Sequence, residues 1–265
     1  MRWVRGVVAV ILAVACWTVT CCTVRAEELE TDRDSFTFAP TTAGAGRTIT
    51  EASYSFIDNR VGPEAHSFPE LLFRRGIGER FELRVGVNYE AGGPGTVTGT
   101  EVGGEDIEPE AEYESRLLYG MKVATSEQAG GLPRSALIVQ GFTPTYGPST
   151  ATTMYVGEAW GWTFPNGWAW NTAMRYGTGY EELDAFSQWA PSTVLKIPVG
   201  ERWNIHSEYF GIMSTGKAIP LNLQYASFGG HVLVTEDLEL GLRYGWGLNE
   251  TTPGFFTNLG VGYRY

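Results

Sequence analysis

Apolar and polar residues alternate along most of this chain with a period of two. Across Arg80–Glu90, Phe81, Leu83, Val85, Val87 and Tyr89 fall on one face and Arg80, Glu82, Arg84, Gly86, Asn88 and Glu90 on the other. Asp237–Leu248 repeats the pattern, and so does Phe255–Tyr265. A strand turns successive side chains to opposite faces, so such segments are strands with one apolar and one polar face. The periodicity predicts twelve strands: 48–58, 66–76, 80–90, 111–124, 134–146, 151–164, 167–178, 186–199, 202–213, 219–235, 237–248 and 255–265. Segments 151–164 and 219–235 alternate poorly, and a bulge is expected in each, because a one-residue slip swaps the faces.

The connections come in two kinds. Gly76–Glu79, Pro165–Gly167, Gly200-Glu201 and Glu236-Asp237 read as tight hairpin turns, with 126–133 a longer member of that set. Between them lie 59–65, 91–110, 147–150, 178–185, 214–218 and 249–254, mostly longer. Short turns at one end and longer loops at the other are the plan of an outer-membrane barrel, and an even strand number puts both termini at the short-turn, periplasmic end. The expected fold is therefore all-β: a single antiparallel transmembrane β-barrel of about twelve strands. A soluble sandwich or lipocalin-like barrel would also have one apolar face, turned inward. The aromatics argue against it. Phe81 and Tyr89, Tyr113 and Tyr119, Trp168 and Tyr176, Trp203 and Tyr209, Tyr244 and Trp246, and Tyr263 and Tyr265 are spaced as if to form two interfacial girdles. The chain also stops on an aromatic, Tyr265, resembling the C-terminal signal that barrel-assembly machinery reads.

Composition agrees. With 13 Phe, 13 Tyr, 9 Trp and 34 Gly among 265 residues and 18% charged residues, the chain is neither disordered nor helical. A net charge of −11 argues against nucleic acid as a partner. Met1–Ala26 reads as a secretory signal peptide: Arg2 and Arg5, an apolar run Val7–Val19, and Val24-Arg25-Ala26 before the cut. The apolar run is too short for a spanning helix, and a lipoprotein signal at Ala13–Cys16 would cut that run short. All three cysteines, Cys16, Cys21 and Cys22, leave with the leader, and losing its three Arg moves the net charge from −11 to −14. The expected organisation is a leader 1–26, a periplasmic N-terminal segment 27–47 and a barrel 48–265.

Several motifs resemble those of the bacterial outer-membrane transporters grouped as "putative MetA-pathway of phenol degradation". Glu30–Thr37 (E-T-D-R-D-S-F-T) is similar to that family's opening segment, with Asp34-Ser35 where the family often has Pro-Asp; Gly46-Arg47 and Glu51–Tyr54 continue it. Ser67–Arg74, Gly76-Ile77 and Glu79–Arg84 resemble its P-E-L-L signature, and Leu240–Asn249 with Gly260–Tyr265 its closing strands. The resemblance spans the mature chain. It implies an outer-membrane barrel that transports small, often hydrophobic molecules; phenol itself does not carry over.

No catalytic chemistry is legible, and no cofactor or metal is expected. G-x-S-x-G, the P-loop and the helical zinc motifs are absent. His66, His206 and His231 are scattered and read as lumen, rim or interface residues rather than ligands. An outer-membrane phospholipase needs a His and a Ser two residues apart on one face. His66-Ser67 and His206-Ser207 are adjacent, and Ser227 and His231 are four residues apart, ~13 Å along a strand. The polar face carries the candidate lumen residues Glu70, Arg74, Glu82, Arg84, Glu112, Glu114, Arg116, Lys122, Arg175, Lys196, Glu208, Glu239, Arg243 and Arg264. They form either a salt-bridged interior that holds the barrel round or a polar ladder that orients a solute. Glu90–Glu114 holds eight acids and no base: a solvated loop or a cation-collecting lid. The residues thus point to a passive outer-membrane channel with a narrow charged lumen, in contact with lipid, and the resemblance implies small hydrophobic or aromatic solutes. The alternative is a non-conducting anchoring barrel.

Overall fold

The computed structural model describes residues 29–60, 62–93, 112–181, 184–217 and 220–265. The leader and most of the acidic loop 91–110 lie outside the described residues. The strands are β1 (Thr48–Asp58), β2 (Ala65–Ile77), β3 (Phe81–Gly92), β4 (Glu112–Ser126), β5 (Arg134–Tyr146), β6 (Thr153–Thr163), β7 (Ala169–Glu181), β8 (Asp184–Val199), β9 (Trp203–Thr215), β10 (Asn222–Thr235), β11 (Leu238–Gly247) and β12 (Phe255–Arg264). Each pairs antiparallel with its neighbours in sequence, and β1 pairs with β12, so the sheet closes into a barrel. Thr48 and Tyr265 exchange both backbone hydrogen bonds at the seam. Closure leaves no strand edge unpaired, the condition for crossing a bilayer with strands.

The apolar face points out. On β3, Phe81, Leu83, Val85 and Tyr89 are exposed while Glu82, Arg84, Asn88 and Glu90 are buried. On β11, Leu240, Leu242, Tyr244 and Trp246 are exposed while Glu239 and Arg243 are buried. This is the reverse of a water-soluble barrel, and an apolar band of this extent calls for lipid. The aromatics singled out in the sequence are all outward. Tyr119 and Tyr209 sit at mid-strand rather than at an end; the Tyr119 hydroxyl meets Thr143 Oγ1 at 3.1 Å.

The expected bulges are half right. The pairing of β10 with β11 slips between Leu233 and Thr235. β6 has no slip against β5 or β7. Its alternation is weak for another reason: the inward face carries Tyr155, Gly157, Ala159 and Gly161 instead of polar residues, and Glu158 points outward, half-buried between Leu137 and Met174. A slip that the sequence reading did not anticipate lies between Ser67 and Glu70, where Pro69 has no N–H to donate to the ladder. β7 and β8 also run further than expected, to Glu181 and from Asp184.

Candidate functional site

The barrel is not hollow. Residues 29–43, expected in a periplasmic segment apart from the barrel, lie inside it, and Thr31 to Ala39 are all buried. The segment enters at the short-turn end, where Leu29, Ala43 and Ile49 pack together. It turns at Phe36–Phe38 and comes back. Two bonds tie its legs: the Ala39 N–H to Asp32 Oδ1 at 2.9 Å and the Thr41 hydroxyl to Glu30 Oε2 at 2.6 Å. A backbone segment with no sheet or helix ladder must find acceptors and donors elsewhere. Here the inward charges of the wall supply them.

On the β1–β4 side, Asp32 is the centre. Its Oδ2 lies 2.5 Å from Arg84 Nη1, 2.7 Å from Lys122 Nζ and 3.8 Å from Arg74 Nε. Its N–H donates to Glu51 Oε2 at 3.0 Å. Arg74 forks onto Glu82 with two bonds of 3.0 Å and reaches Glu51 at 2.8 Å. Lys122 also donates to the carbonyls of Ala39 and Thr41, and Glu82 accepts the Ala43 N–H. Burial alone would raise the Asp32 pKa. The cations of Arg74, Lys122 and Arg84 outweigh it and hold the carboxyl well below the usual range. The wall brings three cations and two carboxylates, Glu51 and Glu82; Asp32 supplies the third anion.

On the opposite side, Glu208 receives the turn. Its carboxylate accepts the N–H groups of Phe36 (3.1 Å) and Thr37 (2.7 Å), the hydroxyls of Thr37 (2.8 Å) and Ser227 (3.1 Å), and Arg243 Nη1 (3.0 Å). Arg175 donates to the Phe36 carbonyl at 2.5 Å and stacks over the Phe36 ring at 4.2 Å. Asp34 meets Lys196 Nζ at 2.8 Å and His231 Nδ1 at 3.5 Å. Burial again opposes the charged form of Asp34, and Lys196, then His231 and His206, hold its pKa far below normal. The Thr31 hydroxyl reaches Glu239 at 2.7 Å, while Arg33 turns back to the β1–β4 side, to Glu70 of β2 at 3.1 Å.

Of the candidate lumen residues, Glu70, Arg74, Glu82, Arg84, Lys122, Arg175, Lys196, Glu208, Glu239 and Arg243 are buried and gather around this segment. Glu114 and Arg116 are buried as a separate pair at 2.8 Å. Arg264 is partly buried, paired with Asp237 at the short-turn end, and the side chain of Glu112 lies outside the described residues. The sequence reading missed Asp32, Arg33, Asp34, Phe36, Phe38 and Glu51. The surplus of cations over carboxylates around Arg74 was the available signal. β6 carried another: a Cβ on Gly161 would stand 2.7 Å from Pro40 Cγ, so the small inward face of β6 is the imprint of the segment.

The interior also has an apolar part. Phe36 stacks on Phe210 at 4.3 Å, and Phe210 stacks on Tyr225 at 4.7 Å and meets Phe256 edge-on. Ile57, Ala65, Ile212 and Leu223 join them toward the longer loops. Phe38 anchors a second cluster with Leu72, Leu118, Ile138, Phe142 and Tyr155.

Comparison with solved structures finds the same architecture at low identity. The COG4313 outer membrane channel from Pseudomonas putida F1 superposes with a TM-score of 0.58 at 11% identity, over 89% of this chain and 100% of that one. The translocator domain of the autotransporter NalP from Neisseria meningitidis gives 0.52 at 12% identity, over 84% of this chain and 89% of that one. No curated protein sequence matches. The sequence model described as "Putative MetA-pathway of phenol degradation" matches residues 31–265, which takes in the interior segment as well as every strand. The chain belongs to that family of outer-membrane β-barrels.

Proposed function

We propose that this barrel is a passive outer-membrane channel for small hydrophobic or aromatic solutes, with both termini periplasmic and the N-terminal segment as its internal constriction. The observation that carries the reading is the make-up of the interior. Charges clamp residues 29–43, while the rings of Phe36, Phe210, Tyr225 and Phe256 pack into a buried apolar cluster on the side of the longer loops, which a solute has to part in order to pass. Such a lining favours apolar solutes over sugars, which would leave hydroxyls unpaired there. Twelve strands enclose a lumen between the side-chain-filled eight-stranded barrel and the sixteen-stranded porin, so one inserted segment narrows it effectively. The outward apolar band meets outer-membrane lipid, and β12 with the following Tyr265 is the contact for barrel-assembly machinery.

Liposome swelling tests the reading. Vesicles carrying the barrel should swell faster in small aromatic solutes than in sugars or organic acids of similar size. Swelling in none of them favours the second reading, a non-conducting anchoring barrel, for which the filled interior speaks.

A further inference from the structure

His206 on β9 and His231 on β10 are 25 positions apart in sequence, yet they meet inside the barrel beside Asp34 of the inserted segment. The register sets this: His206 faces Gly229, two residues before His231, so the imidazoles are diagonal neighbours on one inward face. One ligand atom from each of Asp34, His206 and His231 lies within 4.8 Å of the others, and all three residues are buried. Neither ring nitrogen of His206 has a hydrogen-bond partner among the described residues. A buried imidazole without partners is costly. The backbone makes room for it: a Cβ on Gly229 would stand 2.5 Å from His206 Nε2.

We propose that Asp34, His206 and His231 form a binding site for a divalent zinc-type cation that pins the inserted segment to the wall. Two imidazoles and a carboxylate are a zinc donor set. The support around them fits. His231 Nδ1 faces Asp34 at 3.5 Å, and Nε2 faces Glu239 Oε2 at 3.8 Å, so Nδ1 is the ligand and Glu239 the carboxylate that orients the ring from behind. A water-sized void lies beside Asp34 and Glu239, and a water held there against Asp34 is the candidate fourth ligand. With metal bonds of ~2.0–2.1 Å, tetrahedral ligands stand roughly 3.3 Å apart, so the ion draws the three side chains inward. It also displaces Lys196, now 2.8 Å from Asp34 Oδ2. Lys196 has a second carboxylate within reach, Glu30 Oε1 at 3.8 Å. The site does not depend on whether the barrel conducts.

The test uses the full mature barrel, without an affinity tag, folded in detergent. Competition against a chromophoric chelator should show one zinc per chain. Cobalt should give the visible bands of a four-coordinate ion, bleached by zinc. His206→Ala and His231→Ala should each weaken zinc at least about tenfold, and Gly229→Ala should weaken it by displacing the His206 ring. Lys196→Met removes the competing cation and should bind zinc more tightly than wild type. If the histidine variants do not fold, as judged by heat-modifiable migration, Lys196→Met decides alone, and unchanged or weaker binding overturns the site. So does wild-type protein that takes up no zinc, or uptake that survives the loss of both histidines.

Discussion

The two sides of the barrel interior hold the same segment in different ways. In the cluster around Asp32, the side chains of Asp32, Glu51, Arg74, Glu82, Arg84 and Lys122 leave no buried polar atom without a hydrogen bond, and buried atoms on that wall that make none, such as Glu70 Oε1 and Gln140 Nε2, belong to its neighbours. On the β9–β11 side, both nitrogens of His206, Glu239 Oε2, and Nε and Nη2 of Arg243 make none among the described residues. The Asp32 cluster behaves as an anchor, in which each buried charge has a partner and any single loss is expensive. The second has spare polar capacity, which an ion, water or a polar solute can use. An insert built this way is fixed along one wall and adjustable along the other.

Asp32→Ala attacks the anchor and should have the largest effect. It leaves Arg74, Arg84 and Lys122 with one anion too few, and breaking a buried pair by removing one partner costs about 3–5 kcal/mol. The urea midpoint should fall, and residues 29–43 should become cleavable by added protease. Glu208→Gln should be milder, about 1.5–3 kcal/mol: the amide oxygen keeps one set of bonds, while the NH2 that replaces the other oxygen faces only donors, either those of Thr37 or those of Phe36, Ser227 and Arg243. Asp34→Ala should be milder again, since Lys196 can turn to Glu30; if it equals Asp32→Ala, the contrast between the two sides is wrong.

Acid should release both sides, but late. Asp32 faces Arg74, Arg84, Lys122, Glu51 and Glu82, and Asp34 faces Lys196, His206, His231, Glu30 and Glu239. Both carboxyls are depressed on folding. Their contribution is therefore fully present above the ordinary carboxylate value of about 3.9 and lost only as pH falls through the lower folded values. Protease resistance of residues 29–43 should hold from neutral pH to about pH 4 and fail below it. The smallest effect belongs to the outer wall: Glu158→Leu places an apolar residue on the lipid-facing side of β6 and should raise the urea midpoint, by less than about 2 kcal/mol.

Strand positions were legible because one rule governs them all. β1 and β5 run over the residues that alternation predicts, since lipid outside and polar groups inside demand a period of two. What fills the lumen obeys no such period. Residues 29–43 have neither strand nor helix pattern, and alternation reports only the polarity of the wall. The resemblance marks Glu30–Thr37 as a motif without saying where it sits. β6 was misread for the same reason: Gly157, Ala159 and Gly161 looked like a broken strand and instead make space for Phe38 and Pro40. His206 and His231 escaped a search for closely spaced ligands because sheet register, not sequence spacing, brings them together.

The central claim is that residues 29–43 set the permeability of the barrel. Single-channel conductance of the wild-type protein and of a deletion of 29–43, both shown to be folded by heat-modifiable migration, tests it most directly. The account predicts a small wild-type conductance and a severalfold larger one after deletion. Equal conductance from two folded barrels would contradict it.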